Sequence, residues 1–143
     1  LYGLAGKLEE ALLKRVWLKS GGYLVIEPTE ALTVIDVNTG KYDGSKNVEE
    51  TFALINREAA QETARQIRLR NLSGIILIDF INQKDRQAAK ELLEELRSLC
   101  KDDPVPVRVV DITALGLVEL TRKKVKGTLA EQLKGLKPTG VQR

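Results

Sequence analysis

Two segments, Val34-Ile35-Asp36-Val37 and Leu77-Ile78-Asp79-Phe80, share one oddity. Each is an apolar, β-rich run with an aspartate near its C-terminal end, which reads as a strand interrupted once by charge. A bare carboxylate there is costly to bury, so it has to be paired, hydrogen-bonded or bound to a cation. A long helical pattern lies between the segments, and a strand–helix–strand unit brings its second strand back parallel to the first. If the two strands are neighbours, both aspartates emerge at the carboxyl edge of the sheet, where open α/β sheets bind ligands. Two carboxylates a few ångströms apart repel unless a cation lies between them, and hard oxygen donors with bound water suit Mg²⁺. The other reading open to these residues is that each Asp only caps the turn or helix after it.

Working outward, the stretch Asn38–Asn47 has no apolar period and reads as a loop. Asn47, with Glu50 three residues on, makes a capping-box-like helix start. From there to about Arg70, Val48, Phe52, Ile55, Ala59, Thr63 and Ile67 form an apolar face, with charged residues mostly opposite. Asn71 to Gly74 ends that helix. The continuous run Ile75–Phe80 predicts a strand covered on both faces. Upstream, residues 3–14 read as a short amphipathic helix, and Arg15–Lys19 and Tyr23–Glu27 as strands joined through Ser20-Gly21-Gly22. Pro28-Thr29-Glu30 then turns the chain into Leu32–Val37, completing an antiparallel meander. Downstream, a helix over 84–100 carries Ala88, Leu92, Leu96 and Cys100 at four-residue steps. Val105–Val110 and Leu117–Thr121 read as strands, with Pro106 confining the first to a strand start or a sheet edge. Residues 128–136 suggest a short terminal helix. The expected fold is α/β: a mixed β-sheet with an antiparallel N-terminal meander, strand–helix–strand crossovers and flanking helices.

Composition narrows the chemistry. The chain has 143 residues, 43% hydrophobic and 30% charged, which fits one globular domain. No apolar run approaches the roughly 20 residues of a membrane span. Without histidine, His-based catalysis and His-ligated metals are excluded, and one cysteine, Cys100, forms neither an internal disulfide nor a zinc site. Cys100 continues an apolar helical stripe and reads as core. These features make a reducing, cytoplasmic compartment the expectation. With no methionine and Leu1 in first place, it reads as a piece of something longer.

Several residues near the aspartates are candidates for a site. Asn38 lies two residues past Asp36, so strand alternation turns it to the same side, where it orients the carboxylate, meets a phosphate oxygen or serves only the turn. Lys41 and Lys46 sit in the adjoining loop, as phosphate contacts or as ordinary surface lysines. Net charge is only +3, too weak by itself to argue for nucleic acid, but Arg122, Lys123 and Lys124 open a basic run reaching Lys137, either a solvated tail or a nucleic-acid contact. Trp17, Tyr23 and Tyr42 offer surfaces on which bases can stack, or core packing.

Longer stretches carry a resemblance to a known family. They are Val16-Trp17-Leu18-Lys19-Ser20-Gly21-Gly22-Tyr23, Thr29-Glu30-Ala31-Leu32-Thr33-Val34-Ile35-Asp36-Val37-Asn38 and Glu49-Glu50-Thr51. Further on come Asn56-Arg57-Glu58-Ala59-Ala60, Arg65-Gln66-Ile67-Arg68-Leu69-Arg70, Gly74-Ile75-Ile76-Leu77-Ile78-Asp79-Phe80-Ile81 and Gly116-Leu117-Val118-Glu119-Leu120-Thr121-Arg122. In this order they closely resemble the ribonuclease E/G family. The resemblance implies a catalytic, DNase I-like subdomain over residues 1–126, followed by a basic tail, 127–143, partly helical. It implies Mg²⁺-dependent endonucleolytic hydrolysis of single-stranded, often A/U-rich RNA to 5′-phosphate and 3′-hydroxyl ends, in RNA processing and mRNA decay. Asp36 and Asp79 match the family's catalytic, metal-binding aspartates and Asn38 its site asparagine, with Mn²⁺ as a substitute ion.

The implied partners are single-stranded RNA and the remaining regions of a full-length enzyme, including the S1 and 5′-end-sensing regions absent here, with homo-oligomerisation open. Two positions depart from the family pattern: Gln83 stands where a methionine is common, and the Cys-Pro-x-Cys zinc link is missing. Two alternatives stand beside this reading. One is a non-catalytic RNA-binding or assembly fragment that needs the missing regions. The other is a different metal nuclease with a ribonuclease H-like sheet, which would cut RNA–DNA hybrids.

Overall fold

The computed structural model of the chain describes Gly6 and residues 13–41 and 47–125. The helix expected over 3–14 falls largely outside these residues, as do most of the loop after Asn38, including Tyr42 and Lys46, and the helix expected over 128–136.

Six strands form one sheet: β1 (Arg15–Trp17), β2 (Tyr23–Pro28), β3 (Thr33–Asn38), β4 (Gly74–Asp79), β5 (Val107–Ile112) and β6 (Val118–Arg122). Their spatial order is β1-β2-β3-β4-β6-β5. The first three pair antiparallel as a meander, and β3 pairs parallel with β4. Helix α1 (Val48–Leu69) joins β3 to β4, and α2 (Arg86–Cys100) joins β4 to β5. Strand β6 is antiparallel to both of its neighbours, so β5 runs parallel to β4 with β6 inserted between them. The mixed α/β sheet, its meander and its crossovers are as the sequence predicts. Pro106 directly precedes the edge strand β5, where its missing N–H costs no ladder bond.

Local chemistry accounts for the helix ends. The Asn47 side chain accepts from the N–H groups of Glu49 and Glu50, and Asp85 does the same for Gln87. At the far end of α1, Asn71 takes φ 51°, a left-handed conformation that Asn tolerates and that closes the helix. The inner face of α1 differs from the expected stripe. Val48 is 40% exposed, while Asn56, Ala60, Ala64 and Gln66 join Ile55, Ala59, Thr63 and Ile67 inside. In α2 the buried residues are Leu92, Leu93, Leu96 and Cys100.

The core lies between the helices and one face of the sheet. Val16, Leu24, Ile26, Ile35, Val37, Ile76, Ile78, Val118 and Leu120 alternate along their strands toward that layer. Ile35, Ile76 and Ile78 are fully buried, each contributing about 1.5–3 kcal/mol relative to exposure. The opposite face is open, and this corrects the expectation for β4: Ile75 is 45% exposed and Leu77 only half-buried. A continuous apolar run fits a doubly covered strand and a singly covered one equally well. What decides is that the helical layer lies on the Ile76 and Ile78 side.

Candidate functional site

The open face is where the two aspartates meet. Register places Asp36 of β3 directly beside Asp79 of β4 on parallel neighbouring strands. Both stand near the carboxyl ends of their strands, and their inward neighbours Ile35 and Ile78 are also paired and buried. The alternation that sinks those isoleucines therefore turns both carboxylates onto the opposite face. Burial pushes the Asp79 carboxyl above its ordinary value, and the facing charge of Asp36 pushes it further. Asn38 donates from Nδ2 to Asp36 Oδ2 across 3.4 Å, a long contact that still aligns the two side chains.

Two carboxylates and an amide are hard donors of the kind that Mg²⁺ accepts while keeping waters for its remaining positions. Among the described residues no group of three or more His, Cys, Asp or Glu side chains could enclose an ion. Any ion held by the pair alone would take most of its remaining ligands from water. The raised Asp79 suits such an ion, since a cation between the carboxylates relieves the repulsion that raises it.

Helix α1 fixes the ground around the pair through residues that sequence reading did not single out for that role. Asn56 is buried and clamps the chain just past Asp79: its Nδ2 donates to the Ile81 carbonyl at 2.8 Å and its Oδ1 accepts the Ile81 N–H at 2.9 Å. Nδ2 also reaches Gln83 Oε1 at 3.2 Å. Two residues on, Glu58 accepts from the Ser20 hydroxyl at 2.6 Å and the Ser20 N–H at 3.1 Å, tying the β1–β2 turn to the helix. The available signal was a polar Asn inside an apolar stripe, because a buried amide needs partners.

At the same edge the chain leaving β3 passes close over the β1–β2 turn. Gly40 takes φ +68°, and a Cβ there would lie 2.1 Å from the Gly21 carbonyl oxygen, so this crossing needs glycine. The crossing shapes a cleft of about 630 Å³ whose lining includes Arg15, Trp17, Tyr23, Thr39, Lys41 and Ile55. Lys41 is thus exposed in this cleft, three residues along the chain from Asn38.

The other basic candidates are elsewhere. Lys46 lies outside the described residues. Arg122 is paired with Gly74, at the start of β4, roughly 17 Å of strand away from Asp79. Its side chain is buried, with Nε and Nη2 donating to the Asp103 carboxylate at 2.8 and 3.0 Å. Nη1 donates to Asn71 Oδ1 and the Leu72 carbonyl. Arg122 therefore leaves the RNA-contact set: its charge is spent inside the fold. Lys123 and Lys124 are exposed, but they follow Arg122 at that same far end. Cys100 is buried, and burial raises its thiol to about 11, which suits core packing rather than nucleophilic chemistry.

Fold and site together define an α/β protein with a two-carboxylate centre on the carboxyl edge of a mixed sheet. Comparison with known proteins carries the identification further. The model of the ribonuclease E/G family matches residues 1–125. Ribonuclease G of Escherichia coli is 42% identical over 139 residues, covering 97% of this chain and 28% of the relative. Ribonuclease G of Haemophilus influenzae is 45% identical over 133 residues, covering 93% of this chain and 27% of the relative. Ribonuclease E of Nostoc is 50% identical over 117 residues, covering 82% of this chain and 17% of the relative. The chain belongs to the ribonuclease E/G family. It spans little more than a quarter of the ribonuclease G proteins it matches. Among the described residues no helix is long and apolar enough to cross a membrane.

Proposed function

We propose that the chain is the catalytic subdomain of a ribonuclease E/G-type endoribonuclease, hydrolysing single-stranded RNA to 5′-phosphate and 3′-hydroxyl ends with Mg²⁺. The observation that carries this reading is the registration of Asp36 beside Asp79 on parallel strands at an open sheet edge. Asp36 and Asp79 would hold the ion, with Mn²⁺ able to replace it. When bound, such an ion polarises a phosphoryl oxygen and makes water a stronger nucleophile at neutral pH.

The protein's own part is positional. Asn38 orients Asp36 through its Nδ2, and its amide oxygen would accept from water or a ribose hydroxyl. Lys41 draws the phosphate backbone to the edge, with Lys46 beside it in sequence and Lys123 and Lys124 as remote contacts. Asn56 holds the Asp79 strand end so that the two carboxylates stay in register. RNA processing and mRNA decay in the cytoplasm are the setting this activity would serve, with the rest of a full-length enzyme adding RNA affinity and oligomeric contacts.

The test is cleavage of end-labelled single-stranded RNA by the chain in Mg²⁺, with the product ends identified. The expected outcome is endonucleolytic cuts with 5′-phosphate ends, abolished in Asp36→Asn and Asp79→Asn variants that melt like the wild type. Cleavage that survives both substitutions, or preferential cutting of an RNA–DNA hybrid, would refute the reading. Intact RNA at every ion concentration, with RNA still bound, would favour a non-catalytic binding fragment.

A further inference from the structure

We propose that Trp17, Tyr23 and Arg15 form a stacking platform for an unpaired nucleobase of the RNA strand, one short step along the sheet from the carboxylates. The platform is built by register. Trp17 of β1 stands opposite Tyr23 of β2, and their ring centroids lie 5.0 Å apart at 56°. The Arg15 guanidinium sits 4.3 Å from the Tyr23 ring centre and 5.6 Å from that of Trp17. A tilted aromatic pair satisfies one side of each ring, yet Trp17 remains 62% exposed. A large apolar ring held open to water by an ordered neighbour is a surface prepared for a flat partner.

Position ties the platform to the reaction. Tyr23 is also paired with Asn38 across β2 and β3, so the rings continue the row of the site asparagine. Arg15 heads the adjacent row, which runs through Val25 and Asp36 to Asp79. All these side chains share the open face, and two strand spacings separate Trp17 from Asn38, about 10 Å. A short run of extended single strand spans that distance.

The cleft beside the platform is lined by Arg15 and Lys41 and by no acidic residue. Among the described residues neither Arg15 nor Lys41 has a carboxylate within ion-pair distance. Aromatic faces with unpaired cations recognise single-stranded nucleic acid, where the bases are free to stack and the phosphates to pair. A duplex keeps its bases inside and offers the rings nothing, so the platform selects unpaired RNA at the cleavage edge. The base it prefers is set only weakly, because every base has a π-face.

This rests on the chain's being an RNA-cleaving module, and the test separates the two. Trp17 is the only tryptophan, so its fluorescence reports on the platform directly. The chain would be titrated with a short oligoadenylate and with an abasic strand of equal phosphate count. Oligoadenylate is expected to quench Trp17 in a saturable way, and the abasic strand to leave it bright and bind at least about 5-fold more weakly. Trp17→Ala should weaken oligoadenylate binding on the order of 5- to 100-fold, and Trp17→Phe should recover most of that. Arg15→Gln should weaken both strands. Asp79→Asn should retain the quench while losing cleavage, whereas a wild-type chain that shows the quench but cleaves nothing in Mg²⁺ would count against the metal reading alone. Equal quenching by the abasic strand, unchanged affinity in Trp17→Ala, or a bright Trp17 at every oligoadenylate concentration would overturn the platform. The last result would assign the exposed rings to a protein neighbour instead.

Discussion

The two ends of the β4 strand handle carboxylate charge in opposite ways. At its start, Arg122 and Asp103 are 3% and 1% exposed, and the guanidinium meets both carboxylate oxygens, an amide and a backbone carbonyl. Burial alone would raise the Asp103 carboxyl. The Arg122 hydrogen bond, the Val105 N–H and the charges of Arg122 and Arg68 outweigh that and hold it below its ordinary value. At the other end, Asp79 is raised by burial and by the facing Asp36. One aspartate is satisfied within the fold, whereas the other has no cation paired with it among the described residues. Charge that is internally complete supports structure, and charge left in mutual repulsion at a strand's carboxyl end is available for a ligand.

The largest effect should come from breaking the satisfied end. Arg122→Ala strands Asp103 in the interior and is expected to cost about 3–5 kcal/mol in a denaturant titration. Next is Asn56→Ala, which leaves the Ile81 N–H and carbonyl without their buried partner. It should cost about 2–3 kcal/mol by the same measurement and lower the affinity of the aspartate pair for Mn²⁺.

The pH dependence should divide the ends as well. Asp103 has a depressed folded-state value, so its stabilisation is present above the ordinary carboxylate value of 3.8 and is lost as the pH falls below 3.8 through its lowered value. Melting temperature measured against pH should therefore fall in acid, and an Asp103→Asn variant, already lacking that stabilisation, should show a shallower acid limb. The smallest effect on the fold is expected from Asp79→Asn, which removes a repulsion: its melting temperature without divalent ions should equal or slightly exceed that of the wild type. A marked loss of stability there would mean that Asp79 is structural and would erase the contrast.

Much of this was legible in the sequence because it rests on local periodicity. The strand segments around Asp36 and Asp79, the intervening helix and its Asn47 cap follow from alternation, the 3.6-residue period and capping chemistry. The meeting of the two aspartates follows from the parallel crossover once β3 and β4 are neighbours, and their register makes them so. What stayed hidden depends on contacts distant in sequence. A separation of 51 positions between Asn71 and Arg122 gives no local sign that the two side chains bond. Arg122 therefore reads as the start of a basic run, when its surroundings make it part of the interior. Asn56 is similar, since its partner Ile81 is 25 residues on. The open face of β4 was also unreadable, because an apolar run does not say on which side the helices settle.

The most direct test of the central claim is a Mn²⁺ titration that maps paramagnetic broadening over the backbone amides of the chain. Broadening is expected to centre on Asp36, Asn38 and Asp79, to leave the amides of Arg122, Lys123 and Lys124 sharp, and to vanish in Asp79→Asn. Broadening spread evenly over acidic surface residues, or unchanged by that substitution, would contradict a metal site built from this pair.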